Sequence, residues 1–139
     1  MNEMQLKLCD IQGRLFELST EKGIGSSNFI KIFMNSETAK SLDSTYNRMQ
    51  WAGEEYLLEE VLDGTKDNIN IEIEVYSKDM IYWIGYLYRY WHYYTGESSK
   101  AIYKQAPVET MKRNYLMFHT MAPEVAIEDL KEIYRQKRL

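Results

Sequence analysis

Residues 80–94, Met80-Ile-Tyr-Trp-Ile-Gly-Tyr-Leu-Tyr-Arg-Tyr-Trp-His-Tyr-Tyr94, decide how the chain is read. Eight of the fifteen are aromatic: Tyr82, Trp83, Tyr86, Tyr88, Tyr90, Trp91, Tyr93 and Tyr94. Aromatic side chains on every side of a helix cannot all be solvated cheaply, so the rest of the protein, or a partner, has to enclose this segment. Ser77 is placed to cap it, Asp79 sits in its first turn, and Gly96 stops it after Thr95. The expectation is a central helix with other helices packed round it.

Within the segment Gly85, Arg89 and His92 fall along one line at 3.6 residues per turn, flanked by Tyr82, Tyr86, Tyr88 and Tyr93. A glycine in a helix interior costs about 1 kcal/mol relative to alanine, so a backbone or a ligand is expected close to it. Two readings stay open. Arg89 with Gly85, His92, Tyr82 and Tyr86 forms a notch that holds a carboxylate or phosphate and stacks a flat ring. Alternatively, Arg89 pairs with a buried acid or helix-end carbonyls of its own chain and fixes the core.

Outward from that centre the pattern is helical. Met4, Leu8, Ile11, Leu15 and Leu18 make one stripe over 4–21, and Gly23 is set for a left-handed cap. Ser26 or Ser27 is expected to cap a helix carrying Phe29, Ile30 and Phe33, followed by a short turn over 38–42. A longer helix is expected over 45–62. Ser98 opens a short helix through Gln105, Pro107 another with Val108, Met111, Tyr115 and Phe118 aligned, and Pro123 the last. Residues 69–76, Ile-Asn-Ile-Glu-Ile-Glu-Val-Tyr, alternate as a strand does. Its edges need pairing within the chain, with a second copy as a homodimer, or with a sheet of a partner. The expected fold is mostly α: a single-domain helical bundle over 1–139 with at most one short β element around 69–76.

Composition narrows the function classes. The chain has 139 residues and a formal net charge of −4, unevenly spread. Residues 1–79 hold 8 Lys/Arg and 15 Asp/Glu (net −7), and residues 80–139 hold 9 and 6 (net +3). An acidic half argues against general nucleic-acid binding and for a basic protein partner. Glu54, Glu55, Glu59 and Glu60 concentrate that charge on one helix, either as a solvated face or as a surface for basic residues. With Ile71 and Ile73 of the strand pattern they are the candidate partner-binding residues. The first residues carry no basic region followed by an apolar run, and no stretch suits a membrane span. A single cysteine, Cys9, in an apolar pattern is expected to be a buried, inert thiol in a reducing cytoplasm.

Catalytic signatures are weak. His92 and His119 have no metal-ligand spacing, and no nucleophile with a base and an orienting group can be named. Gly23-Ile-Gly25 has the wrong spacing for a phosphate loop, and no strand precedes it. No cofactor, metal or catalytic residue is assigned, and the chain is read as non-enzymatic.

Three stretches taken together carry a resemblance: Tyr46 to Glu60, Asp79 to Tyr103, and Tyr115 to Leu130. Tyr82-Trp-Ile-Gly-Tyr-Leu-Tyr-Arg-Tyr-Trp91 and Ser98-Ser-Lys-Ala-Ile-Tyr103 are its most specific marks, and residues 64–77 match less well. They resemble a family of small cytoplasmic proteins from Gram-positive bacteria and their mobile elements. Its members are often encoded beside a predicted ADP-ribosyltransferase-like toxin. The resemblance implies an antitoxin or immunity factor that occludes a toxin enzyme. The alternatives are a mobile-element inhibitor of a host defence nuclease and a small-ligand or catalytic domain centred on Arg89 and His92.

Overall fold

A computed structural model describes residues 1–44, 48–64 and 74–138. Among them are eight α-helices, one 3-10 turn and no strand. The helices are α1 (Glu3–Glu21), α2 (Ser26–Met34), α3 (Glu37–Asp43), α4 (Glu54–Asp63), α5 (Lys78–Thr95), α6 (Ser99–Gln105), α7 (Val108–Phe118) and α8 (Pro123–Lys137). The mostly α helical bundle expected from the sequence is the fold observed. No helix among the described residues is long and apolar enough to cross a membrane.

The aromatic helix α5 is the hub. It packs most extensively on α1 and also meets α6, α7 and α8. Its caps are those its sequence announces: the Ser77 hydroxyl accepts from the Met80 amide, and Gly96 ends it at φ 81°. Enclosing so many tyrosines is workable because most of their hydroxyls reach polar partners, the buried Tyr93 hydroxyl having none among the described residues. Tyr88 donates to the Ala106 carbonyl at 2.6 Å, Tyr94 to Glu128 at 2.8 Å, and Tyr82 and Tyr90 to Asp10 and Glu124.

What lets α1 lie so close to α5 is a pair of glycines. A Cβ on Gly85 would stand 2.8 Å from both the Gln12 carbonyl oxygen and the Phe16 ring. One on Gly13 would stand 2.6 Å from the Tyr82 ring. The buried face of α1 is therefore Leu8, Cys9, Gln12, Gly13, Leu15, Phe16 and Ser19. Met4, Ile11 and Leu18 of the expected stripe are only half-buried at its edge. Phe16 in turn meets Phe29 and Phe33 of α2 edge to face, with ring centroids 5.4 and 5.2 Å apart.

Four local expectations change. The helix expected over 45–62 is interrupted: a 3-10 turn spans Arg48–Trp51, Gly53 is extended as the N-cap, and α4 begins at Glu54. Glu54 and Glu55 then occupy the first turn, where negative charge suits the helix dipole. Ser26 does not cap α2, whose N-cap is Gly25. Its amide instead donates to the Glu74 carbonyl at 3.0 Å and its hydroxyl accepts from the Tyr76 amide at 2.9 Å. Residues 74–76, the end of the strand pattern, are thus tied to α2 without regular structure. The rest of that pattern, 69–73, lies outside the described residues. Pro107 stands at the N-cap of α7 rather than inside it.

Two measurements check this packing. Gly85→Ala is expected to destabilise the fold by about 2 kcal/mol, roughly 3 from overpacking less about 1 regained in helix propensity. The melting temperature should drop by on the order of 5–10 °C, and an unchanged one would contradict the close approach. Cys9 is fully buried, and that burial pushes its thiol pKa up to about 12. A disulfide reagent at about pH 8 should label no thiol in the folded protein and one after denaturation; prompt labelling would show Cys9 to be accessible.

Candidate functional site

Arg89 is 1 % exposed, and all of its charge is satisfied inside the chain. Nε donates to Gln12 Oε1 at 2.8 Å, Nη1 to Asp43 Oδ1 at 2.6 Å and Nη2 to Ser99 Oγ at 3.2 Å. Asp43 also accepts from the Ser99 amide and hydroxyl, each at 2.8 Å. Gln12 completes the set by donating to the Gly85 carbonyl at 3.0 Å. One guanidinium from α5 therefore joins the middle of α1, the last residue of α3 and the first residue of α6. A planar fork with five donors is suited to such a junction, where an ammonium would satisfy fewer partners.

Of the two readings of the Gly85, Arg89 and His92 line, this arrangement corresponds to the internal one. The groove beside Gly85 is filled by α1, and Arg89 faces Asp43 rather than solvent. His92 is at the margin: its Nδ1 lies 2.7 Å from the Glu97 carbonyl and 3.8 Å from Asp43 Oδ1. A carbonyl only accepts, so Nδ1 carries the proton. Asp43, His92, Tyr93 and Gln50 border a cleft of about 600 Å³ from which the guanidinium is excluded. No three His, Cys, Asp or Glu side chains among the described residues group as a metal site requires.

Tyr82 and Tyr86 go elsewhere. They share no hydrogen bond with the Arg89 network: the Tyr82 ring lies against Gly13 of α1, and both line a groove of about 580 Å³ with Trp83, Tyr115 and His119.

A second polar knot braces the far end of α5. Trp91 Nε1, Lys131 Nζ and Gln105 Nε2 donate to the Glu97 carboxylate at 2.9, 2.8 and 2.6 Å. Lys131 lies 5.7 Å from the Trp91 ring centroid. Burial opposes ionising Glu97, but the donors from Lys131, Trp91 and Gln105 outweigh it and lower its pKa from 4.5 to about 2.

The acidic candidates sit on α4. Leu57, Leu58 and Val61 turn inwards, so Glu55, Glu59 and Glu60 are exposed, while Glu54 lies half-buried at the edge of the packed stripe. None of the four forms an ion pair with a described residue. Trp51, in the turn that leads into α4, is 77 % exposed, and Tyr56 on its outer face is 50 % exposed. Sequence reasoning finds the glutamates but counts Trp51 among the apolar residues of the helix over 45–62, whereas the structure leaves it exposed. Ile71 and Ile73, the other candidate partner contacts, lie outside the described residues.

The chain matches no protein-family model, no curated protein and no solved structure.

Glu97 gives a pH test of the second knot. A carboxyl whose folded pKa is depressed adds stability above about pH 4.5 and loses it as pH falls towards 2. Glu97→Gln is expected to be less stable than the parent by up to about 3 kcal/mol near neutrality, with the gap closing in acid. Urea titrations across that range check it. A gap that does not change with pH would show that the Glu97 charge contributes nothing.

Proposed function

We propose that this protein is a non-enzymatic binding factor that neutralises a partner enzyme by occlusion, in the manner of an antitoxin or immunity factor. The observation that carries the reading is the outer face of α4. Glutamates with no ion pair among the described residues stand beside the exposed Trp51. Large aromatics are enriched at the energetic centres of protein interfaces, and unpaired carboxylates round them steer a basic partner into register. A solvated helix face has no need of a tryptophan at 77 % exposure. The resemblance of Asp79–Tyr103 and its flanking stretches to antitoxin-like proteins points the same way. The internal use of Arg89 supports it too, because the group best able to hold an anionic substrate is committed to the core.

The partner this face fits is an enzyme with a cationic groove. A transferase that cradles the phosphates of NAD has one, and so does a nuclease. Tagged protein recovered from its source cells is expected to bring down one stoichiometric partner whose activity falls to zero at equimolar inhibitor. Glu55→Lys with Glu59→Lys should weaken that complex at least tenfold, mostly through slower association. Trp51→Ala should weaken it roughly thirtyfold through faster dissociation. Both variants should melt as the parent does. Unchanged affinity in both would remove α4 from the interface, and nucleic acid that displaces the protein would mark the partner as a nuclease.

A further inference from the structure

The groove between α1, α5 and α7 has a construction that neither the Arg89 network nor the α4 face explains. Its walls are Tyr82, Trp83 and Tyr86 of α5, Tyr115 of α7, and His119 just after it. Trp83 and Tyr115 meet edge to face at 63°, with centroids 5.6 Å apart. Tyr115 is backed by the His119 ring stacked at 4.5 Å, and Tyr82 and Tyr86 lie 5.9 Å apart. The groove is therefore lined by five aromatic side chains held at different angles, and the electron-rich faces of such rings attract an organic cation. At about 580 Å³ the groove is within the size range of small-ligand sites.

Its two carboxylates are acidic groups beside otherwise aromatic walls. Glu17 of α1 and Asp79 of α5 line the groove, and no lysine or arginine among the described residues does. The nearest cations are engaged elsewhere: Arg14 pairs with Asp10 at 3.0 Å and Lys78 with Glu21 at 3.5 Å. Glu17 is half-buried and has no side-chain hydrogen bond or ion pair among the described residues. Burial raises its pKa, and the fields of Lys78 and Arg14 only partly oppose that. A carboxylate desolvated against aromatic rings gains from a close counter-charge, and no described residue pairs with Glu17.

We infer that this groove is a binding site for an organic cation, an alkylammonium head seated against Trp83 and Tyr115 with Glu17 and Asp79 as counter-charges. A metal ion would find too few oxygen ligands there, and an anion would meet two carboxylates. The same head group comes either from a free quaternary amine or from a lysine side chain of a protein, and the site chemistry is common to both.

The test uses the full chain, with the Trp83 indole N–H followed by NMR. The probes are choline, its uncharged isostere 3,3-dimethylbutan-1-ol, and N-acetyl-lysine methylamide. Choline or the lysine amide is expected to shift the Trp83 signal saturably, at least about tenfold more tightly than the uncharged isostere. The tighter of the two identifies the source as a free amine or a side chain. Glu17→Gln, a change at a half-buried surface position, should weaken binding about fivefold with the melting temperature unchanged. The Trp51 and Trp91 indole signals should stay in place. The inference is overturned if the isostere binds as well as choline, if no cation gives a saturable shift, or if Glu17→Gln binds as the parent does.

Discussion

The Arg89 guanidinium is the junction on which the rest of the structure depends. A charge that is 1 % exposed cannot be left short of partners, because an uncompensated buried ion costs several kcal/mol. Its three partners come from three different helices, so satisfying it fixes α1, α3 and α6 against α5 together. The two glycines make this possible by letting α1 approach until Gln12 bridges Arg89 and the Gly85 carbonyl. The Phe16, Phe29 and Phe33 cluster adds apolar burial beside that contact without setting its register. A polar network of this kind specifies one arrangement of helices where an apolar seam would tolerate several.

The sequence disclosed most of the framework because helix ends carry local chemical signals. Ser77, Gly96, Ser98 and Pro123 mark the boundaries of α5, α6 and α8 as the structure has them. What it hid is whatever depends on residues far apart in the chain. Gln12, Asp43 and Ser99 looked like ordinary helix-face or capping residues, and only their convergence on Arg89 gives them a role. Ser26 reads as a cap by its type and position, but a longer-range bond to residues 74–76 claims it. The break at Gly53 was missed because apolar residues on both sides continue a helical rhythm, although Gly53 followed by two glutamates is itself a helix-start signal. The notch was legible as a line of residues, and only the fold shows that α1 fills it.

The surface divides its roles in a way the core makes intelligible. Arg89 and Glu97 are spent on architecture: Arg89 joins α5 to α1, α3 and α6, and Glu97, between α5 and α6, ties both to α8. The functions proposed fall on groups outside those networks: the glutamates and Trp51 around α4, and the aromatic groove whose carboxylates form no ion pair among the described residues. Both surfaces are negative and aromatic, so both favour positively charged partners. They are built from different helices, so each can be changed without disturbing the other.

The central claim, that Arg89 and Asp43 act as one clamp, is tested most directly by a double-mutant cycle measured by urea unfolding. Arg89→Met and Asp43→Asn are each expected to destabilise the protein by about 3 kcal/mol, since each leaves the other group buried without its partner. The double variant should lose little more than either single one, a coupling of about 2 kcal/mol or above. Additive losses would contradict the account and show that the helices are held together without the clamp.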